Sequence, residues 1–280
     1  MNSVWRYAMK DIIWKMLPYS FRRWWTSRTR KSQYGWYGEY DSWSAAQSDS
    51  EGYQKKEIED KIFQAALEVK NGNAYCERDG ILFQHPVYFE NTRKAIEYIG
   101  LRSEKFKIAD FGGGAGSSYF LYCKLLNSIR INSWNIIEQR HIAERGNREL
   151  ADERLQFFSE INEACVGDAD VLLLSSVLHY MEQPQSLLIQ LLRYSYRRII
   201  IETTPVTTGL PFITVQRVPP HIYEASYPCH IFNCDTFLSW FPGYKLLAEY
   251  ISNAVEPRMV EGRMVEWKGF VFERENEVNT

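Results

Sequence analysis

No apolar run in the sequence approaches the roughly 18 residues that a membrane-spanning helix needs. The one apolar stretch near its start is broken by Asp11 and Lys15, so it does not read as the core of a secretory signal. Cysteine is scarce and odd in number, at 76, 123, 165, 229 and 234. That scatter excludes a disulfide framework and points to a reducing, cytoplasmic setting. His221, Cys229, His230 and Cys234 fall close together, but they lack the C-x-x-C or H-x-x-x-H spacing of metal ligands, and no metal is expected. There is no internal repeat. The chain also lacks an excess of either charge, with 33 basic and 35 acidic residues, which argues against a protein that coats nucleic acid.

What is present is enough apolar material for a core: 45% hydrophobic and 15% aromatic over 280 residues, sufficient for one large domain with appendages. The near-neutral total hides an asymmetry. Residues 1–33 hold eight basic residues against Asp11, a net +7, which leaves the rest of the chain at −9. Within that arm Trp5, Ala8, Met9, Ile12, Ile13 and Met16 recur at three- and four-residue spacing, which predicts a basic amphipathic helix ended by Pro18. Two uses fit it: a segment lying on an anionic membrane surface at the cytoplasmic face, or a helix docked on the acidic body. Residues 34–53, dense in Gly, Ser and Tyr, read as a linker. Ile58, Ile62, Ala65, Ala66 and Val69 before Gly72 predict a helix over 55–72, and a second is expected over 86–99. Together these make a helical N-terminal extension, 34–105, ahead of a main domain at 106–275.

After Lys105 the pattern becomes short β-rich runs separated by helix-length segments, which predicts a parallel sheet covered by helices. The runs are 107–111, 133–138, 155–158, 170–176 and 197–203, with near-continuous Ile, Val and Leu as in strands buried on both faces. Residues 244–251 and 267–274 alternate better and read as a terminal antiparallel pair. The expected fold is therefore an open, Rossmann-like α/β sheet, mostly parallel, with an antiparallel end. The first strand runs into "DFGGGAGSSYF". Its glycines let the backbone turn tightly and approach a ligand, and the helix that follows offers unpaired N–H groups. A Walker A loop needs Lys and then Ser or Thr after its last glycine, and none follows. A dinucleotide fingerprint needs glycine where Ser117 or Tyr119 stands.

The pattern Asp110-x-Gly112-x-Gly114-x-Gly116, with Gly113 between, resembles the first motif of the S-adenosylmethionine-dependent methyltransferases of the Rossmann-like class. Glu138, at the end of the second strand, stands where a carboxylate meets ribose hydroxyls. "DFGGGAGSSYF", "DVLLLSSVLHYMEQP" and "TVQRVPPHIYEASYPCHIF" together look like a family of methyltransferases commonly found with bacterial surface-polysaccharide genes. "GEYDSW", "GYQKK" and "ERDGILF" extend that resemblance back to about residue 35. The resemblance implies S-adenosylmethionine as cofactor and a sugar, glycan or small-molecule acceptor, the atom methylated being unspecified. His179 stands where glutamine is common in that family.

Methyl transfer to a hydroxyl needs alignment and usually a base. His179, just past the fourth strand, and His221, in a long loop expected over 205–234 on the acceptor side, are the two candidates, with Tyr223 and Glu202 behind them. His230, between Cys229 and Ile231, suits packing better. Two other functions remain compatible with these residues: a cofactor-binding scaffold without turnover in a polysaccharide assembly complex, and an NAD-linked sugar oxidoreductase, since Glu138 suits NAD equally.

Overall fold

The computed structural model describes residues 34–52, 56–100, 105–126, 131–164 and 169–275. The basic arm expected at 1–33 lies outside them. The strands in chain order are β1 (Gly35–Tyr40), β2 (Cys76–Arg78), β3 (Ile81–Phe83), β4 (Phe106–Phe111), β5 (Ile131–Ile137), β6 (Leu155–Phe158), β7 (Val171–Ser175), β8 (Arg198–Thr207), β9 (Phe212–Arg217), β10 (Ser226–Asn233), β11 (Tyr244–Ile251), β12 (Arg258–Val260) and β13 (Arg263–Arg274).

Five strands run parallel in the order β6-β5-β4-β7-β8. Beyond β8 lies β13, antiparallel to it, and β11 pairs antiparallel on the far side of β13. This is the Rossmann-like sheet that the sequence predicts, with its antiparallel C-terminal pair. The chain order reverses at β4, which places β5 on one side and β7 on the other. In an open α/β sheet that is the point where the carboxyl ends leave a crevice for ligands.

Burial on both faces explains the unbroken apolar runs. One face packs Ile108, Trp134 and Ile136 against Phe63, Ile96, Tyr119 and Phe120 from helices Lys56–Lys70, Glu90–Gly100 and Ser117–Leu125. The other packs Leu172, Leu174 and Ile199 against Leu188, Phe237 and Phe241 beside helices Pro184–Leu191 and Cys234–Leu238. The helices predicted over 55–72 and 86–99 form as Lys56–Lys70 and Glu90–Gly100.

Two segments differ from the sequence reading. The stretch read as a linker holds β1 and the short helix Trp43–Ser48, whose N-cap Ser42 accepts from the Ala45 N–H. The stretch read as a long loop, 205–234, is mostly strand. β8 continues to Thr207, β9 and β10 form an antiparallel pair, and β1 completes that lobe against β9. The prolines that suggested a loop sit where a missing N–H does no harm. Pro228 faces Val215 of β9, and β10 meets β8 only at Phe232 and Asn233. Pro205 pairs with Trp267 of β13, past the point where β8 leaves β7 at Glu202.

Candidate active site

The lobe of β1, β9 and β10 and the hairpin of β2 and β3 stand over the carboxyl edge of the parallel strands and enclose a cleft of about 2460 Å³. Its floor is the loop after β4. Asp110, the last residue but one of that strand, is almost wholly buried, at 1% exposure. One carboxyl oxygen accepts the indole N–H of fully buried Trp134 at 2.9 Å. Loss of water around the carboxyl lifts its pKa to about 7, against the pull of that one donor, and the nearby Glu138 charge adds to the rise. Gly113 is required by this packing: a Cβ there would lie 2.7 Å from an Asp110 carboxyl oxygen.

Gly114 is different. Its φ is +56°, in the left-handed region that favours glycine, and a Cβ built on it would meet nothing within 4 Å among the described residues. The backbone here therefore presents a bare, open surface to the cleft. The Gly114 N–H donates to Glu138 Oε1 at 3.1 Å, and the Gln139 N–H donates to Glu138 Oε2 at 3.0 Å. Burial raises the Glu138 pKa, and these two donors hold it down in part. A carboxylate with one donor on each oxygen keeps lone pairs for further hydrogen bonds. Gly112 stays at the cleft wall through its N–H bond to Ile137 O at 3.0 Å, whereas Gly116 caps helix Ser117–Leu125 and faces Ile136, Leu155 and Phe120 of the core.

His179 lies in a single 3-10 turn, Leu178–Tyr180, directly after β7. It lines the cleft with 1% of its surface exposed. Burial lowers its pKa to about 3, helped by the proximity of His230, so the ring is neutral at pH 7. Among the described residues its buried Nδ1 has no hydrogen-bond partner, an unusual condition that a ligand hydroxyl would relieve. Beside it, Tyr180 donates to Gln216 of β9 at 2.6 Å and meets the Tyr227 ring edge-on at 4.9 Å. Trp43, Gln216, Tyr223 and Tyr227 carry the wall onward. Two non-glycine residues hold strained left-handed backbone at the same edge, Ser176 at φ +56° and Thr203 at φ +53°. Both line the cleft, and such strain gathers at functional sites.

Asp110, Gly112, Gly113, Gly114, Glu138 and His179, predicted from sequence, thus border one space. His221 does not join them. It sits exposed in the turn between β9 and β10, while its neighbours Pro219, Ile222 and Tyr223 line the cleft. The diproline stiffens the turn but aims the imidazole at solvent. His230 is a packing residue, stacked between Trp43 at 4.8 Å and Phe232 at 5.7 Å. Glu202 lies fully buried on β8, its Oε1 accepting from the Thr92 and Tyr250 hydroxyls. Among the described residues, no group of three or more His, Cys, Asp or Glu side chains is arranged to hold a metal ion.

Sequence reasoning missed the contribution of the β2–β3 hairpin, Glu77, Arg78 and Asp79, which reaches the cleft from more than thirty residues upstream of the loop. The signal was there as Asp79–Gly80, a dipeptide typical of a tight hairpin. Both residues have positive φ, +52° and +73°.

No protein-family model matches the chain, and no curated protein does. Among solved structures, the N-terminal domain of EvdMO1 in the presence of SAH and D-fucose is similar at 15% identity and TM-score 0.46, over 78% of this chain and 97% of that one. A 1,6-didemethyltoxoflavin-N1-methyltransferase from Burkholderia thailandensis is similar at 14% identity and TM-score 0.42, over 67% and 80%. An S-adenosylmethionine-dependent methyltransferase from Clostridium acetobutylicum is similar at 7% identity and TM-score 0.44, over 68% and 93%. Likeness at this level is of general shape and decides nothing about the chemistry of the cleft.

Proposed function

We propose that the chain is an S-adenosylmethionine-dependent methyltransferase whose acceptor is a hydroxyl group of a sugar or glycan. The observation that carries this reading is the cradle at the switch point: bare Gly114 backbone open to the cleft, with Glu138 beside it and buried Asp110 beneath. Glu138, with spare lone pairs, suits the paired hydroxyls of a ribose, and Gly114 suits close passage of the ligand over the loop. An NAD reading fits the same carboxylate, but the glycine spacing needed for a pyrophosphate is missing at Ser117 and Tyr119.

When bound, the cofactor supplies an electrophilic methyl group on a sulfonium. The chain's part is to exclude water, align an acceptor oxygen with that carbon, and receive the proton the oxygen loses as the new C–O bond forms. His179 is suited to the last task. It is neutral at pH 7, lines the cleft and has a ring nitrogen without a partner among the described residues. Its low basicity is no obstacle late in the reaction, because an alkylated oxygen still bearing its proton is a strong acid. The wall of Trp43, Tyr180, Tyr223 and Tyr227 with Gln216 supports a sugar acceptor, offering ring faces for stacking and polar tips for hydroxyls.

Transfer of labelled methyl from S-adenosylmethionine to a panel of monosaccharides, oligosaccharides and nucleotide sugars tests the reading. Label on a sugar hydroxyl supports it. Cofactor binding with no transfer to any acceptor favours the scaffold.

A further inference from the structure

The hairpin β2–β3 brings to the cleft a pair of opposite charges for which the fold itself has little use. Arg78 is half-buried, and its guanidinium carbon lies over the Phe89 ring, 4.5 Å from the centroid. Among the described residues it donates no hydrogen bond and joins no ion pair. Its charge nevertheless reaches Glu77 and Asp79 on the hairpin and Glu202 on β8. Glu77 is 5% exposed. It accepts from the Ser117 hydroxyl, on the first residue of the helix that follows the glycine loop, and from the Gly80 N–H at 3.0 Å. Asp79 accepts from the Tyr223 hydroxyl at 3.4 Å. Burial raises the pKa of Glu77, and the two donors offset the rise only in part.

Position decides what this pair could meet. Glu138 marks the β5 side of the glycine loop, and Arg78 lies on the opposite side, near enough to β8 to influence Glu202. A ligand with its ribose at Glu138 that runs across Gly114 therefore ends at the hairpin. A guanidinium and a carboxylate on the same wall of the cleft complement an α-amino acid zwitterion: the planar fork suits a carboxylate, and the acid suits an ammonium. We infer that Glu77 and Arg78 form a clamp for the amino-acid head of the cofactor, Arg78 taking its carboxylate and Glu77 its ammonium. The clamp rests on the cofactor reading above and adds residues from outside the glycine loop to it. The cation–π contact with Phe89 pre-orders the guanidinium, and the Ser117 hydroxyl ties Glu77 to the loop that holds the rest of the ligand.

The test uses two ligands in calorimetry on the full chain. S-adenosylhomocysteine carries the amino-acid head, and 5′-methylthioadenosine lacks it. Arg78→Met keeps an apolar stem over Phe89 and removes the charge. Wild type is expected to bind S-adenosylhomocysteine at least tenfold more tightly than methylthioadenosine. Arg78→Met should lose tenfold or more for the former and nothing for the latter, which also reports that the cradle remains folded. Glu77→Gln, which can keep its bonds to Ser117 and Gly80, should weaken S-adenosylhomocysteine several-fold with the same selectivity. Equal weakening of both ligands, or no weakening of either, overturns the clamp alone. Failure of wild type to bind either ligand overturns the cofactor reading and the clamp with it.

Discussion

If Gly114 is the point of closest approach to a ligand, a methyl group there should harm binding far more than it harms folding. Gly114→Ala forces a side chain into φ +56°, and Gly72→Ala forces one into φ +81° at the end of helix Lys56–Lys70; neither Cβ meets an atom of the described residues within 4 Å. The two substitutions therefore carry the same kind of backbone strain, about 1–2 kcal/mol each. For a domain of this size that lowers Tm by about 2–8 °C. They differ in what occupies the open space: bulk solvent at Gly72, the ligand path at Gly114. Calorimetry with S-adenosylhomocysteine should show Gly72→Ala at wild-type affinity and Gly114→Ala weakened at least tenfold, about 1.4 kcal/mol. Gly114→Val, bulkier and β-branched, should abolish binding. Equal affinity in Gly114→Ala and wild type, or equal loss in both alanine variants, would refute the placement of the ligand on this loop.

Trp134→Phe removes the donor bound to buried Asp110 and should cost about 1–3 kcal/mol in denaturant unfolding, the penalty for an unpaired buried acceptor; an unchanged midpoint would contradict that role. Glu202 has its pKa raised from 4.5 to about 7 by burial, so the folded state holds a proton that the unfolded state has released. Stability relative to Glu202→Gln should then fall as pH rises from about 4.5 to about 7 and stay low above it; parallel pH–stability curves for the two proteins would rule this out. His179→Ala should lower kcat by about 10²- to 10⁴-fold with cofactor affinity intact, while His221→Ala, exposed and away from the cleft wall, should leave kcat within a few-fold. The reverse ranking would move the proton acceptor to the β9–β10 turn. Deleting residues 1–33, with their net +7, should abolish salt-sensitive sedimentation with anionic vesicles, each basic residue near such a surface contributing about 1 kcal/mol; sedimentation unaffected by the deletion would show the arm to have another use.

The parallel strands were legible because burial on both faces leaves a mark that survives without context: Val171–Leu174 and Ile199–Ile201 admit almost nothing polar. The glycine loop was legible because its conformations exclude most other residues. The lobe of β1, β9 and β10 was not, since its prolines and tyrosines read as loop signals, and only pairing explains why they are tolerated. Pro228 is harmless because, among the described residues, β10 has a single neighbour there, and that fact belongs to the topology. The histidines divide in the same way. Sequence distance from a strand end located His179 at the cleft, but the direction of His221 depends on how the turn at Pro219 and Pro220 leaves β9. Glu77 and Arg78 were missed because they reach the loop from a distant segment. No local pattern records that Ser117 meets Glu77.

On the proposed function, the cradle of Asp110, Gly114 and Glu138 is an S-adenosylmethionine site. The most direct measurement is calorimetric titration of the full chain with S-adenosylhomocysteine and, separately, with NAD. One equivalent of S-adenosylhomocysteine should bind, with binding lost in Gly114→Val and weakened in Glu138→Ala, and NAD should produce no heat of binding. Saturable binding of NAD, or S-adenosylhomocysteine affinity indifferent to both substitutions, would contradict the account.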